Sequence, residues 1–135
     1  SSVSVNQKTV GKIDFGLVVL VGFTHTDTLD NVKYLVKKLV NLRIFDDENH
    51  IMNKSLLDVG GSILSVSQFT LYADTKKGNR PSYINSMKAN EANNLYNLFN
   101  EELKKYNVEV QTGIFQANML VNITNDGPVT IILEN

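Results

Sequence analysis

The stretch GLVVLVGFTHTDTLDNVKYLVKKLVNLR, residues 16–43, places an apolar run directly before an amphipathic one and so decides the class of the fold. Residues 16–22 are continuously apolar and rich in β-branched side chains, which is typical of a strand covered on both faces. The apolar period then changes to 3.6, which predicts a helix, and Asp27 with Asp30 resembles a capping box at its start. The stripe predicted to be buried is Val32, Leu35, Val36, Leu39 and Val40.

The rest of the chain contains short strands and one more helix. A second amphipathic helix is predicted over residues 90–106, with one face made of Ala92, Leu95, Tyr96, Phe99, Leu103 and Tyr106. Strands are predicted at SSVSV (1–5), TVGKI (9–13), GGSILSVSQFTLY (60–72), VEVQTG (108–113), MLVNIT (119–124) and PVTIIL (128–133), and RIF (43–45) leads into a polar hairpin, DDENHIM (46–52). Two helices among about eight strands, without strict β-α alternation, predict an α+β fold: a mostly antiparallel barrel or sandwich with two amphipathic helices.

Composition narrows the class of protein. A length of 135 residues predicts a single domain over residues 1–135, and 42% hydrophobic content is ordinary for a globular chain. There is no cysteine, and His25 and His50 both fall in polar stretches, so no metal site and no cofactor are expected. A net charge of −1 argues against bulk binding of DNA. Without a membrane-spanning run or signal pattern, a cytoplasmic protein that binds no membrane is expected.

One predicted strand, SVSQFTLYAD (65–74), carries polar groups on both faces. Such groups must be hydrogen-bonded, since each one left unpaired costs about 1–3 kcal/mol. They either bond to neighbouring loops or form the polar floor of a pocket at the end of the strand. A Ser-His-Asp site is poorly supported, because neither histidine lies in a suitable stretch and the chain has no G-x-S-x-G elbow.

Two further stretches have both a plain and a functional interpretation. DTKKGNRPS (74–82) carries Lys76, Lys77 and Arg80, which form either a solvated turn or a grip on the phosphates beside a ligand. NDGPVTIIL (125–133) has Gly127–Pro128 at the start of an apolar run. Asn-Asp-Gly-Pro is strong turn chemistry, and glycine also lets the main chain approach a ligand closely.

Taken together, SVSQFTLYADTKKGNRPS and NDGPVTI resemble the D-aminoacyl-tRNA deacylases. GLVVLVGFTHTDT, YLVKKLVNLRIF and GGSILSVSQFTLYAD are similar to that family in the same order and spacing, so the resemblance covers nearly the whole chain. Two departures stand out. The family usually opens with a strand of the type M-R-V-V-x-Q-R-V, which is missing here together with its arginine, and Gln116 stands where the family commonly has glycine.

The resemblance implies hydrolysis of the ester between a D-amino acid and tRNA, and glycyl-tRNA is a further expected substrate. It implies a catalytic site at Ser67, Gln68, Phe69 and Thr70, with backbone N–H groups stabilising the oxyanion. Thr70 is either a nucleophile or a group that positions water. Because no base is evident, assistance by the terminal 2′-hydroxyl of the tRNA is favoured over a covalent intermediate.

The resemblance also implies how chirality is screened. In the family the Gly–Pro bond is cis and enters the pocket of the partner subunit, which gives this role to Gly127 and Pro128 and predicts a homodimer with sites at its interface. Lys76, Lys77 and Arg80 are then expected to bind tRNA. Two other classes stay open: an RNA-binding module without catalysis, and an esterase for small D-amino-acid esters that needs no RNA.

Overall fold

The computed structural model describes residues 1–135, which form eight strands, three helices and one 3₁₀ turn. The strands are β1 (Ser2–Val5), β2 (Lys8–Lys12), β3 (Gly16–Val21), β4 (Phe45–Asp46), β5 (Met52–Lys54), β6 (Ser62–Ser67), β7 (Val110–Thr112) and β8 (Leu120–Asn122). The helices are α1 (Leu29–Asn41), α2 (Leu56–Val59) and α3 (Ala89–Lys104), and the 3₁₀ turn is Phe69–Tyr72.

The central sheet has the strand order β3–β6–β7, and all of its strands are parallel. Val18 pairs with Leu64, and Ile63 pairs with Val110. Parallel neighbours need a long crossover, usually a helix. The segment with α1 joins β3 to β6, and α3 joins β6 to β7. The expectation of a mostly antiparallel fold is therefore wrong for this sheet, because both predicted helices serve as crossovers.

The remaining strands are antiparallel. One sheet has the order β2–β1–β8, and β4 pairs with β5 in the hairpin expected after residue 43. The strands form three separate sheets and no closed barrel. The α+β class is thus confirmed at the level of mixed helices and sheets, and the short helix α2 adds to the two predicted ones.

Strand β6 is covered on both faces. Ile63 packs into a cluster formed mainly by the helices, whereas Leu64 and Val66 pack against Val3 of β1 and Ile13, the residue after β2. The central sheet therefore lies between a helical layer and a second sheet. The helical side of the core is Val32, Val36, Leu39, Val40, Ala92, Tyr96, Phe99 and Leu103.

Helix α1 buries the predicted stripe except for Leu35, which is only half-buried, and it begins one residue later than the predicted capping box. The N–H of Thr28 donates to Asn31 Oδ1 at 2.9 Å, so Thr28 is the N-cap. Asp27 instead accepts the N–H of Thr24 at 2.8 Å and closes the preceding loop. No helix combines the length and the apolar composition needed to cross a bilayer.

Two strand predictions are wrong in extent. Strand β6 ends at Ser67 instead of continuing to Tyr72, and residues 128–133 form no strand. A strand needs a neighbour for its backbone hydrogen bonds. Strand β3 ends at Val21, and no strand of the chain pairs with residues 128–133, although Leu133 contacts the helical core.

The hydroxyl of Tyr96 joins α3 to the central sheet, and its removal is expected to lower stability. Tyr96 is 4% exposed, and its hydroxyl donates to the Ser65 carbonyl at 2.8 Å. Tyr96→Phe should lower the free energy of unfolding by about 0.5–1.5 kcal/mol. Tyr34→Phe, on the exposed side of α1, is the matched control in urea titrations. Equal effects of the two changes would contradict a structural role for the Tyr96 bond.

Candidate active site

The residues expected to be catalytic, Ser67 to Thr70, lie together where the chain leaves the central sheet. Ser67 is the last residue of β6, and the N–H of Gln68 donates to the Val21 carbonyl at 2.8 Å. Beyond Val21 no strand continues the ladder, so the chain bends into the 3₁₀ turn. The backbone N–H of Gln68 is therefore already hydrogen-bonded, and Phe69 and Thr70 begin the turn.

The turn leaves two successive backbone donors free. The N–H groups of Leu71 and Ala73 donate to the carbonyls of Gln68 and Thr70 at 3.2 and 3.0 Å. The N–H groups of Phe69 and Thr70 donate to no loop carbonyl and to no side chain. Chemically, a pair of adjacent free amides is suited to stabilising negative charge on an oxygen.

The side chains at this point bond to one another rather than to neighbouring loops. The side-chain amide group of Gln68 donates through Nε2 to Thr70 Oγ1. The Thr70 hydroxyl has no hydrogen bond to a histidine or a carboxylate, so no general base activates it within the chain. Burial raises the pKa of the nearby Tyr72 phenol, with Asp27 and Glu134 adding to the effect. Tyr72 is therefore protonated at neutral pH and is no base either.

Three residues that sequence reasoning missed also contact this turn. The Phe69 ring is 58% exposed and meets the Tyr83 ring edge-on, with 5.1 Å between centroids. The Ser86 hydroxyl donates to the Phe69 carbonyl at 3.0 Å. A Cβ on Gly22 would lie 2.9 Å from the Gln68 carbonyl oxygen, so glycine is needed for this approach. Tyr83 and Ser86 are distant in sequence from the SQFT stretch, and no local pattern marks them.

The basic residues lie on an exposed hairpin that follows the turn. Asp74 and Ser82 exchange backbone hydrogen bonds of 2.8 and 2.9 Å, which closes the hairpin. Lys76, Lys77 and Arg80 are exposed within it and form no ion pair. The hairpin therefore presents unneutralised positive charge close in sequence to the 3₁₀ turn.

The Gly127–Pro128 loop forms its hydrogen bonds within itself. Its peptide bond is cis, and both residues are exposed. The side chain of Asn125 closes the loop by accepting from the Val129 N–H at 3.1 Å and donating to Thr130 Oγ1 at 2.9 Å. No hydrogen bond joins the loop to the 3₁₀ turn.

Gln116 adopts a backbone conformation that usually requires glycine. Its φ is +64°, in the left-handed region. That conformation gives a physical reason for the glycine that is expected at this position. The Gln116 side chain is exposed to solvent.

A cleft of about 380 Å³ is at the opposite end of the central sheet and does not contain the predicted residues. Its lining includes Asp14, Phe15, Ser62 and Glu109, close to the first residues of β3 and β6. No group of three or more His, Cys, Asp or Glu residues is placed to hold a metal ion, and His25 and His50 both lie in exposed loops.

Comparison with known proteins identifies the family. Residues 1–134 match the family model described as D-Tyr-tRNA(Tyr) deacylase. A D-aminoacyl-tRNA deacylase of Bacillus licheniformis is 56% identical over all of this chain and 92% of the relative. A Bacillus subtilis protein named inactive D-aminoacyl-tRNA deacylase is 54% identical over 97% of this chain and 99% of that protein.

A solved structure agrees with these sequence matches. The c-Myc DNA unwinding element binding protein is 40% identical and superimposes with a TM-score of 0.92 over 99% of this chain and 91% of that one. Family membership thus extends over the central sheet, the 3₁₀ turn and the Gly127–Pro128 loop alike. The chain belongs to the D-Tyr-tRNA(Tyr) deacylase family.

Proposed function

We propose that this protein hydrolyses the ester bond of D-aminoacyl-tRNA and releases the free D-amino acid and tRNA. The observation that carries the proposal is a family match over residues 1–134 that includes a pair of free amides at the end of β6. An ester of this kind is already reactive, so a site without a base is adequate for it. Glycyl-tRNA is a second substrate, because glycine has no side chain to exclude.

The catalytic groups are the backbone amides of the 3₁₀ turn. Water attacks the ester carbonyl, and the N–H groups of Phe69 and Thr70 hold the oxygen that becomes negative. A donor of this kind is worth about 2.7–4 kcal/mol in other enzymes. Ser67 and Gln68 fix the point at which the chain bends from β6 into the 3₁₀ turn, because the backbone N–H of Gln68 is hydrogen-bonded to the Val21 carbonyl.

The proton transfers depend on the substrate rather than on a side chain. Thr70 has no base to make it a nucleophile. The terminal 2′-hydroxyl of the tRNA lies beside the ester and assists the attacking water, while the 3′ oxygen leaves and is protonated. Thr70 and Gln68 are placed to orient that water.

Chirality is screened by the Gly127–Pro128 loop of a second copy. D- and L-esters carry the same groups, so only a rigid obstacle can separate them. Main chain is suited to this task, and Gly127, with φ of +131°, brings it forward without a side chain. The loop does not bond to the 3₁₀ turn of its own chain, which supports action on a partner.

A homodimer is supported by apolar side chains that the single chain leaves exposed. Leu120 is 65% exposed, and Ile132, just after the Gly127–Pro128 loop, is 81% exposed. Large apolar side chains that are left in water favour burial against another surface. A symmetric pair would bring both loops to both sites at once.

The basic hairpin supplies the contact with tRNA. Lys76, Lys77 and Arg80 carry free positive charge next to the turn, as phosphate binding requires. We expect the reaction to occur in the cytoplasm, where aminoacyl-tRNA is made. Binding of DNA, the partner named for the structural relative, is not expected.

Single-turnover loss of amino acid from D-Tyr-tRNA tests the function directly. An inactive RNA-binding module would bind tRNA without releasing tyrosine. An esterase for small esters would not be inhibited by uncharged tRNA, whereas a deacylase would be, and duplex DNA serves as the competitor that should have no effect. The assay is needed because a relative named inactive is as similar to this chain as the others are.

Replacing the terminal adenosine by 2′-deoxyadenosine, with the amino acid on the 3′ oxygen, should lower the single-turnover rate at least about tenfold. Thr70→Ala should cost less than that. A nucleophilic threonine predicts the reverse order, with Thr70→Ala falling towards the uncatalysed rate. Full activity on the deoxy substrate would exclude assistance by the 2′-hydroxyl.

Lys76→Ala combined with Lys77→Ala should weaken binding of uncharged tRNA and leave the saturated rate nearly unchanged. Loss of two phosphate contacts should also reduce the slope of log K against log salt by about 1–2. Lys37→Ala with Lys38→Ala, an exposed pair on α1, is the charge-matched control. An unchanged salt slope in the hairpin variant would remove the hairpin from the tRNA footprint.

Gly127→Ala should change stereochemical preference. An added Cβ would meet Val129 Cγ2 at 3.0 Å on a backbone with φ of +131°, so the loop has to shift. The ratio of D- to L-Tyr-tRNA hydrolysis should fall at least about tenfold, which is about 1.4 kcal/mol of discrimination. Gly78→Ala, another exposed glycine with positive φ, is the control. A folded, dimeric Gly127→Ala protein with the parent ratio would show that this loop is only a turn.

A further inference from the structure

Residues 84–86 are held by side chains on both sides. On one side, His25 Nε2 meets the Ile84 carbonyl at 2.6 Å and the Thr24 hydroxyl donates to the Asn85 carbonyl at 2.6 Å. Because a carbonyl only accepts, Nε2 carries the proton in this contact. On the other side, the Ser86 hydroxyl donates to the Phe69 carbonyl at 3.0 Å.

The Ser86 hydroxyl binds the peptide group between Phe69 and Thr70, which also carries the free Thr70 N–H. A peptide bond is planar and trans, so the Phe69 carbonyl and the Thr70 N–H lie in one plane and point in opposite directions. A hydrogen bond to the carbonyl therefore also fixes the direction of the N–H. The Thr70 N–H has no acceptor within the chain. The 3₁₀ pattern directs the Tyr72 N–H at the Phe69 carbonyl, and the Ser86 hydroxyl is a second donor to the same oxygen from outside the turn.

The support for Ser86 comes from outside the turn. The N–H of Met87 donates to the Phe23 carbonyl at 2.9 Å, and Thr24 and Ser86 form an isolated β-bridge. Ser86 is therefore anchored on the loop that follows β3, the strand on which Gln68 is also anchored. Gln68 is thus held by the last residue of β3, and Phe69 is held, through Ser86, by the loop that follows β3.

We propose that Ser86 is a positioning residue that aims the Thr70 N–H at the developing oxyanion, and that Thr24 and His25 hold Ser86 in place. The inference rests on the proposed function and adds to it three side chains that act through other residues of the protein. A donor held in advance stabilises the transition state without reorganising during the reaction. The effect should therefore appear in the rate of the bound complex and not in the binding of tRNA.

The test compares Ser86→Ala with Ser62→Ala, a serine at the opposite end of the central sheet whose hydroxyl donates to Glu109 Oε2 at 3.2 Å. Ser86→Ala should lower the saturated single-turnover rate on D-Tyr-tRNA about tenfold, less than the roughly 10²–10³-fold cost of losing an oxyanion donor. The dissociation constant for uncharged tRNA should not change. Ser86→Thr, which keeps the hydroxyl, should recover most of the rate, and Ser62→Ala should keep the parent rate.

Thr24→Val covers a Ser86→Ala protein that folds poorly. It keeps the shape of the side chain but removes its hydroxyl, and it should lower the rate in the same direction. A readout that needs no activity comes from amide NMR spectra of the folded variants: Ser86→Ala should move the Thr70 resonance, and Ser62→Ala should leave it in place.

The outcomes separate the two proposals. A parent protein that releases no tyrosine from D-Tyr-tRNA overturns the proposed function and this inference with it. An active parent whose Ser86→Ala variant has the same rate, or loses only tRNA affinity, overturns the positioning role alone. An unmoved Thr70 resonance overturns it independently of activity.

Discussion

The end of β3 at Val21 is the constraint on which the candidate site depends. Strand β6 is covered on both faces and paired on both edges, so its path is fixed up to Ser67. The Val21 carbonyl takes the Gln68 N–H as the last hydrogen bond between these two strands. With no neighbour beyond this point, the backbone turns and leaves its next two amides free. The site is thus a consequence of where the ladder stops.

That origin explains what kind of chemistry the chain can support. Free amides at the end of a rigid strand are fixed donors, and fixed donors suit a reaction in which charge develops on an oxygen. The absence of a hydrogen-bonded base beside Thr70 makes the fold a poor scaffold for a side-chain nucleophile. A reactive ester that brings its own hydroxyl, as we propose for the substrate, fits these limits.

The remaining parts of the candidate site come from far apart in the chain. Ser86 and Phe69, which are hydrogen-bonded, are 17 positions apart in the sequence, and the hydrogen-bonded residues Thr24 and Asn85 are 61 positions apart. No hydrogen bond joins Gly127 to the turn of its own chain. The residues that contact the turn, or hold those that do, thus come from the loop after β3 and the loop before α3. Such contacts follow from crossover topology and leave no periodic signal in the sequence.

The sequence by itself determined the elements whose signal is local. The apolar stripe of α1, the face of α3, the β4–β5 hairpin and the turn-forming NDGP stretch are all set by neighbours a few residues away. Only the tertiary structure decided that the central sheet is parallel, that β6 stops at Ser67 and that residues 128–133 form no strand. Each of these three features depends on which strand, if any, pairs with the segment concerned. Hydrogen-bond partners in a sheet come from distant parts of the chain, so local patterns cannot specify them.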